Sequence, residues 1–211
     1  MKSSKVLEML NQNRIEELKA ELQDEIFTES LKTNPSAKKR YAAMKKYFTY
    51  FSSVREALSK PAVVEFQGKQ YTSFTNGYSL VLTKESAGEM KMFNEEFGNY
   101  PDVSRLIDFS GNEGLIDFNK VIAEAKSKGY KLKRSEVLDS GYLMHYKDSY
   151  YRIGLIDSTF GIINDGKPAA VFHTNEQRFS KLVINNDLGV CVIMPLRIED
   201  APEDVVIIEA K

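Results

Sequence analysis

The chain has 211 residues, 42% of them hydrophobic, and 29 basic side chains against 30 acidic ones give a formal charge of −1. That length supports one large domain or two small ones with cores of their own, and the near-zero charge alone argues neither for nor against nucleic acid. One cysteine, Cys191, excludes an internal disulfide. With no N-terminal apolar run of the signal-peptide kind and no stretch of the ~20 apolar residues that span a bilayer, a reducing, cytoplasmic setting without membrane contact is expected.

The charge is unevenly spread. Residues 1–60 hold 12 Lys and Arg against 8 Asp and Glu, whereas residues 61–211 hold 17 against 22. Cationic character therefore collects in the helical part.

From Ser4 to Lys32 a stripe at helical spacing, Leu7, Ile15, Leu18, Leu22 and Ile26, predicts one long amphipathic helix interrupted only by Asn11. Thr33 or Asn34 is the expected cap of a second helix that starts at Pro35 and runs to about 59. This helix buries Met44, Tyr47, Phe48, Phe51, Val54 and Leu58, and turns Lys38, Lys39, Arg40, Lys45, Lys46 and Arg55 outward. At Pro61 the period changes from 3.6 to 2. Three antiparallel strands are predicted over about 62–84, turning at Gly68-Lys69 and at Asn76-Gly77, where both residues tolerate positive φ. A polar segment with Gly88, Gly98 and Pro101 marks the expected domain boundary.

The second half repeats helix then strands. A helix over 115–128 places Leu115, Phe118, Val121, Ile122 and Ala125 on one face and Lys120, Lys126 and Lys128 away from it. Strands follow in "SGYLMHY" and "SYYRIGL", then a short helix near 155–164, then strands in "AAVFHT", "FSKLVINN" and "GVCVIMPL". This order predicts an α+β fold with helices packed on one face of antiparallel sheets. The closing "DVVIIEA" is strand-prone and suits a free sheet edge of its own chain or of a neighbour.

Catalytic and metal-ligating patterns do not emerge. His145 and His173 are the only histidines, and neither has a Cys, His or carboxylate at ligand spacing. Cys191 alternates with apolar neighbours as a small core residue does. "FSGNEG" lacks the preceding strand and the lysine that phosphate cradling requires. No cofactor is expected. The basic runs "KKRYAAMKK" and "KVIAEAKSKGYKLKR" read either as solvated helix faces or as sequence-independent phosphate contacts.

Three separated strings point to one family. "FTNGYSLVL" (74–82) resembles the Ala-Thr-Asp-Gly-His-Arg-Leu-Ala-Leu stretch of bacterial DNA polymerase sliding clamps, the β-type processivity factors. "NYPDVSRLI" (99–107) is similar to their Phe-Pro-Asp-Tyr-Arg-Arg-Val linker, and "CVIMPLRI" (191–198) to their Val-Val-Met-Pro-Met-Arg-Leu ending. Asn76, Tyr78 and Ser79 stand where the family usually has Asp, His and often Arg.

The resemblance implies a DNA-clamp-like fold with an extra N-terminal helix. The expected units are 1–34, a helical extension; 35–98, a reduced clamp-like domain; 99–198, a clamp-like domain; and 199–211, a C-terminal extension. It implies a hydrophobic cleft that takes short Leu/Phe-anchored peptides from DNA polymerase or other replication proteins. Thr75, Gly77, Leu80, Pro101, Leu106, Val192 and Met194 would line it, with Arg197 at the rim. It also implies a homo-oligomer, since a six-domain ring needs three copies, with Lys38, Lys39, Arg40, Lys45, Lys46, Lys120, Lys126 and Lys128 turned toward duplex DNA. The expected function is a non-enzymatic, phage-like processivity accessory. The alternative is a clamp-fold interaction module that self-associates through its N-terminal helix and does not encircle DNA.

Overall fold

A computed structural model describes residues 3–51, 58–94, 96, 99–133, 137–138, 141–173, 180–197 and 204–210. Val54, Arg55 and Gly98 lie outside the described residues.

The expected single N-terminal helix is two helices, α1 (Ser3–Asn11) and α2 (Ile15–Thr33). Asn13 separates them with φ of 54°, a left-handed conformation that asparagine tolerates better than most residues. The Arg14 amide closes the end of α1 on the Met9 carbonyl at 2.9 Å. The turn also changes which residues are covered. Met9, Leu18 and Phe27 are buried, while Leu7, Ile15, Leu22 and Ile26 of the expected stripe are exposed.

Asn34 ends α2 and starts α3 (Pro35–Phe51). Its Oδ1 accepts from the Ser36 and Ala37 amides at 2.9 and 3.3 Å, so one side chain satisfies two of the orphan donors of the new helix.

β1 (Ala62–Phe66) and β2 (Lys69–Thr75) are joined by Gln67 and Gly68, at φ of 51° and 71°. Two consecutive positive φ values in a two-residue loop match the twist of the flanking strands. β2 and β3 (Ser79–Thr83) are joined differently from expectation. Only Gly77 has positive φ; Asn76 works through its side chain, whose Oδ1 accepts from the amides of Tyr78 and Ser79 at 2.8 and 2.7 Å.

After a 3-10 turn at Val103–Arg105 comes β4 (Asn112–Ile116), a strand not expected from the sequence. The residues assigned to the start of a helix, including Leu115, belong to it, and α4 (Phe118–Ser127) begins only after Asp117, whose carboxylate caps it. β5 (Tyr142–Tyr146), β6 (Ser149–Arg152), α5 (Ile153–Ile163), β7 (Ala169–His173), β8 (Leu182–Asn186), β9 (Gly189–Ile193) and β10 (Val206–Glu209) complete the chain.

Among the described residues seven strands form one sheet in the order β1-β2-β3-β9-β8-β7-β4, and three form a second in the order β10-β5-β6. The larger sheet is antiparallel throughout, but β10 runs parallel to β5, so the second sheet is mixed. The strand-prone C-terminal stretch thus pairs within its own chain. The ladder between β3 and β9 joins strands from both expected domains, so the boundary near residue 98 does not divide the sheet.

That ladder also organises the halves. In each, a helix is followed by three strands, α3-β1-β2-β3 and α5-β7-β8-β9, with the last strand innermost. Alternation along the strands gives the sheet two apolar faces. Phe74, Val81, Ile184, Cys191 and Ile193 belong to the main core with Met44 and Tyr47 of α3 and Phe160 of α5. Leu80, Leu82, Val183, Val190 and Val192 form a second core with Val103 and Ile107 from the segment after β3.

Candidate functional site

The three strings that carry the family resemblance meet on the second apolar face. Leu80 stands directly opposite Val192 in the β3–β9 ladder, and Thr75 opposite Leu80 in the β2–β3 ladder. Leu106, half-buried, packs against the cluster that contains Leu80 and Val192. Tyr100 anchors the crossing segment by donating its hydroxyl hydrogen bond to Ser73 Oγ at 3.1 Å. Burial pushes the Tyr100 phenol up to about 12, opposed by that bond, so it stays a neutral donor at ordinary pH. Pro101 is half-buried between this anchor and buried Val103.

The depth of the face differs from expectation. Leu80 and Val192 are each 2% exposed, so they are the floor of a packed layer and not an open wall. What faces solvent is the rim: Gly77, Tyr78 and Met194. Gly77, at φ of 86°, donates from its amide to Thr75 Oγ1 at 3.4 Å and presents no side chain. Tyr78 lies beside Met194, whose amide donates to the Tyr78 carbonyl at 2.9 Å.

Pro195 has a definite place here. β9 ends at Ile193, Met194 still bonds to the larger sheet, and two residues later the Leu196 amide donates to the Tyr150 carbonyl of β6 at 2.8 Å. The chain therefore crosses from one sheet to the other over Met194-Pro195-Leu196, at a position where proline's missing donor costs no ladder bond. Leu196 is buried by the crossing, Met194 remains 41% exposed, and Arg197 follows on the exposed far side. Tyr78, Val103 and Ile107 were missed by sequence reasoning, although the strand alternation that selects Leu80 and Val192 gave no signal for a covering segment.

The basic residues divide into two groups. Lys38, Lys39, Lys45 and Lys46 are exposed on α3, and Lys120, Lys126 and Lys128 on α4 and just after it. Arg40 is not among them. It is 8% exposed and its guanidinium grips Glu85 of the segment after β3, with Nε to Oε1 at 2.6 Å. A helical wheel points Arg40 outward, but a partner 45 residues away folds over it. Lys120 and Lys128 are half-committed to Asp117 at 3.2 Å and Glu124 at 2.9 Å.

α5 lies between α3 and α4 and is buried except at Asp157 and Gly161, one helical turn apart. Those two positions floor a groove of about 620 Å³ whose sides carry Lys39, Lys46 and Lys126. A Cβ at Gly161 would lie 3.5 Å from that of Ala43, an ordinary van der Waals contact between α5 and α3. Desolvation raises the Asp157 carboxyl above its ordinary value, against the opposing pull of Lys126, whose Nζ is 3.6 Å away.

The remaining polar groups are structural in geometry. His145 Nδ1 lies 2.9 Å from Glu209, which is its register partner on β10, and its ring stacks on Tyr150. His173 is fully buried, with Nε2 3.4 Å from Ser149 Oγ. Cys191 is buried, which pushes its thiol up and away from reactivity. Among the described residues no group of three His, Cys, Asp or Glu side chains could hold a metal ion, and no helix is long and apolar enough to cross a membrane.

Compared with models of known protein families, with curated proteins and with solved structures, the chain matches none.

Proposed function

We propose that this chain is a non-enzymatic, sliding-clamp-like accessory protein of DNA replication that captures short Leu/Phe-anchored peptides and contacts duplex DNA through basic helices. The observation that carries the reading is the convergence of three clamp-like strings on one sheet face, with Leu80 opposite Val192 and Leu106 packed against both strands' cluster. Peptide anchors would enter at the Gly77–Tyr78–Met194 rim and rest on Pro101 and Leu106. Met194 suits such a role because an unbranched thioether adapts to different anchors. The groove between α3 and α4 would follow the phosphate backbone, and homo-oligomerisation would complete a ring.

The peptide claim is tested by fluorescence anisotropy with a labelled short peptide bearing Leu and Phe anchors. Saturable binding that Met194→Asp abolishes is expected, because an unpaired carboxylate in an apolar rim is costly to desolvate. Absent binding, or binding that Met194→Asp leaves unchanged, contradicts it.

A second reading, an interaction module that does not encircle DNA, is favoured by the exposed apolar residues of α1 and α2. Mass in solution separates the two: a trimer supports a ring, and a monomer or a dimer formed through the N-terminal helices supports the module.

A further inference from the structure

We propose that the exposed face of α2 docks a basic amphipathic helix of another protein. α2 is covered from two sides. Leu18 is buried in its N-terminal half, and Phe27 is buried in its C-terminal half against Tyr41 of α3, with ring centroids 5.2 Å apart. Nine residues separate Leu18 and Phe27, which at about 100° per residue puts them on opposite sides of the helix. Ile15, Leu22 and Ile26 lie on a third line, within about 40° of one another. All three are exposed, Ile26 by 69%, and Leu7 and Leu10 of adjoining α1 are exposed as well. Aligned aliphatic side chains on a face that none of the described elements covers mark an interaction surface, unlike single scattered ones.

Charge selects the occupant. α2 carries Glu16, Glu17, Glu21, Asp24, Glu25 and Glu29 against only Lys19 and Lys32. Glu21, Glu25 and Glu29 recur every fourth residue and form an acidic row along one side of the apolar line. Lys5 meets Glu21 at 2.5 Å, Arg14 pairs with Glu17, Lys32 meets Glu29 at 3.2 Å and Ser86 donates to Asp24 at 3.1 Å, which offsets part of this charge; with six carboxylates on α2 the helix stays net acidic. A second copy in a two-fold contact would set one acidic face against the other, and nucleic acid or an anionic bilayer would be repelled. A partner helix with Leu or Ile at i, i+4 and i+7 and flanking Lys or Arg satisfies both features: its apolar edge covers Leu22 and Ile26, and its cations meet the acidic row.

The probe is a fluorescein-labelled helical peptide of alternating Leu and Lys faces, titrated into the full chain beside a copy in which every Lys is Glu. Saturable binding of the Lys peptide is expected, weakened at least about tenfold by Leu22→Gln/Ile26→Gln, since two desolvated aliphatic contacts are removed. The charge reversal Glu25→Lys/Glu29→Lys should release the Lys peptide and capture the Glu peptide, a result that lost folding cannot imitate. No binding, equal binding of both peptides, or indifference to these variants overturns the proposal. So does a fall in the chain's own solution mass on Leu22→Gln/Ile26→Gln, which would make a second copy the occupant, or capture of the chain by phosphatidylcholine vesicles.

Discussion

Leu80 and Val192 sit opposite one another at 2% exposure each in the ladder between β3 and β9, where the two helix-plus-three-strand halves of the chain are joined. Their side chains point away from the helices, into the core closed by Val103 and Ile107. Leu80→Ala is therefore expected to cost about 2–4 kcal/mol, the range for deleting a buried leucine and leaving a partly relaxed cavity. Combined with Val192→Ala, the loss should fall short of the sum, because both open the same space. Urea denaturation of the single and double variants measures this.

Gly189 pairs with Thr83 in the same ladder, and a Cβ there would be driven into the Leu82 carbonyl. The obstacle is backbone, which cannot rotate aside. Gly189→Ala should destabilise the chain more than Gly68→Ala does. Gly68 has positive φ but nothing within 4 Å, so only the left-handed penalty of about 1–2 kcal/mol applies. Paired melting curves decide the ranking.

Lys39 and Lys46 are exposed in the groove that the proposed DNA contact uses, whereas Arg40, which also lines it, is buried and committed to Glu85. Lys39→Glu/Lys46→Glu should weaken duplex binding at least about tenfold and flatten the salt dependence by roughly two phosphate contacts, with stability unchanged. Arg40→Ala should instead leave the half-buried Glu85 carboxylate, one of whose oxygens already lacks a partner, without its cation, and cost at most about 3–5 kcal/mol in stability. Filter binding at several salt concentrations and thermal melts separate the two classes.

Asp157 lines the groove together with the carboxylate of Asp165, and burial raises the Asp157 pKa. A raised folded value means that the folded state holds the proton more tightly than the unfolded chain. Its contribution to stability is then present below the unfolded value of about 3.9 and is lost as pH rises through the higher folded value. Asp157→Asn should remove that slope, read as the difference from wild type because Asp102, Asp108 and Asp117 are lowered and act in the opposite sense. The same substitution deletes a negative charge beside the proposed phosphate path and should raise duplex affinity at neutral pH by roughly three- to tenfold at low salt.

Much of this arrangement was legible in the sequence where local pattern decides it. The period-2 runs located β1 to β3 and β7 to β9, and Cys191 was read as a small core residue, which its burial in the main core bears out. What escaped was set by partners distant in the chain. β4 has only Leu115 and Ile116 as apolar residues and runs directly into α4, so its apolar residues fit the helical period as well as the strand period. It is a strand because Gly114 to Ile116 pair with Ala169 to Val171. Arg40 looked free because Glu85 is far away in sequence, and the N-terminal stripe looked buried because nothing local announces the left-handed turn at Asn13. The three strings stood out one by one, but not that the segment holding Val103 and Ile107 would roof the Leu80–Val192 pair.

Amide hydrogen exchange with and without a saturating Leu/Phe-anchored peptide decides whether the converged face receives a peptide. Added protection confined to residues 75–80, 99–107 and 190–197, and lost in the Met194→Asp variant, is expected. Protection elsewhere, or none at saturating peptide, would contradict peptide binding there.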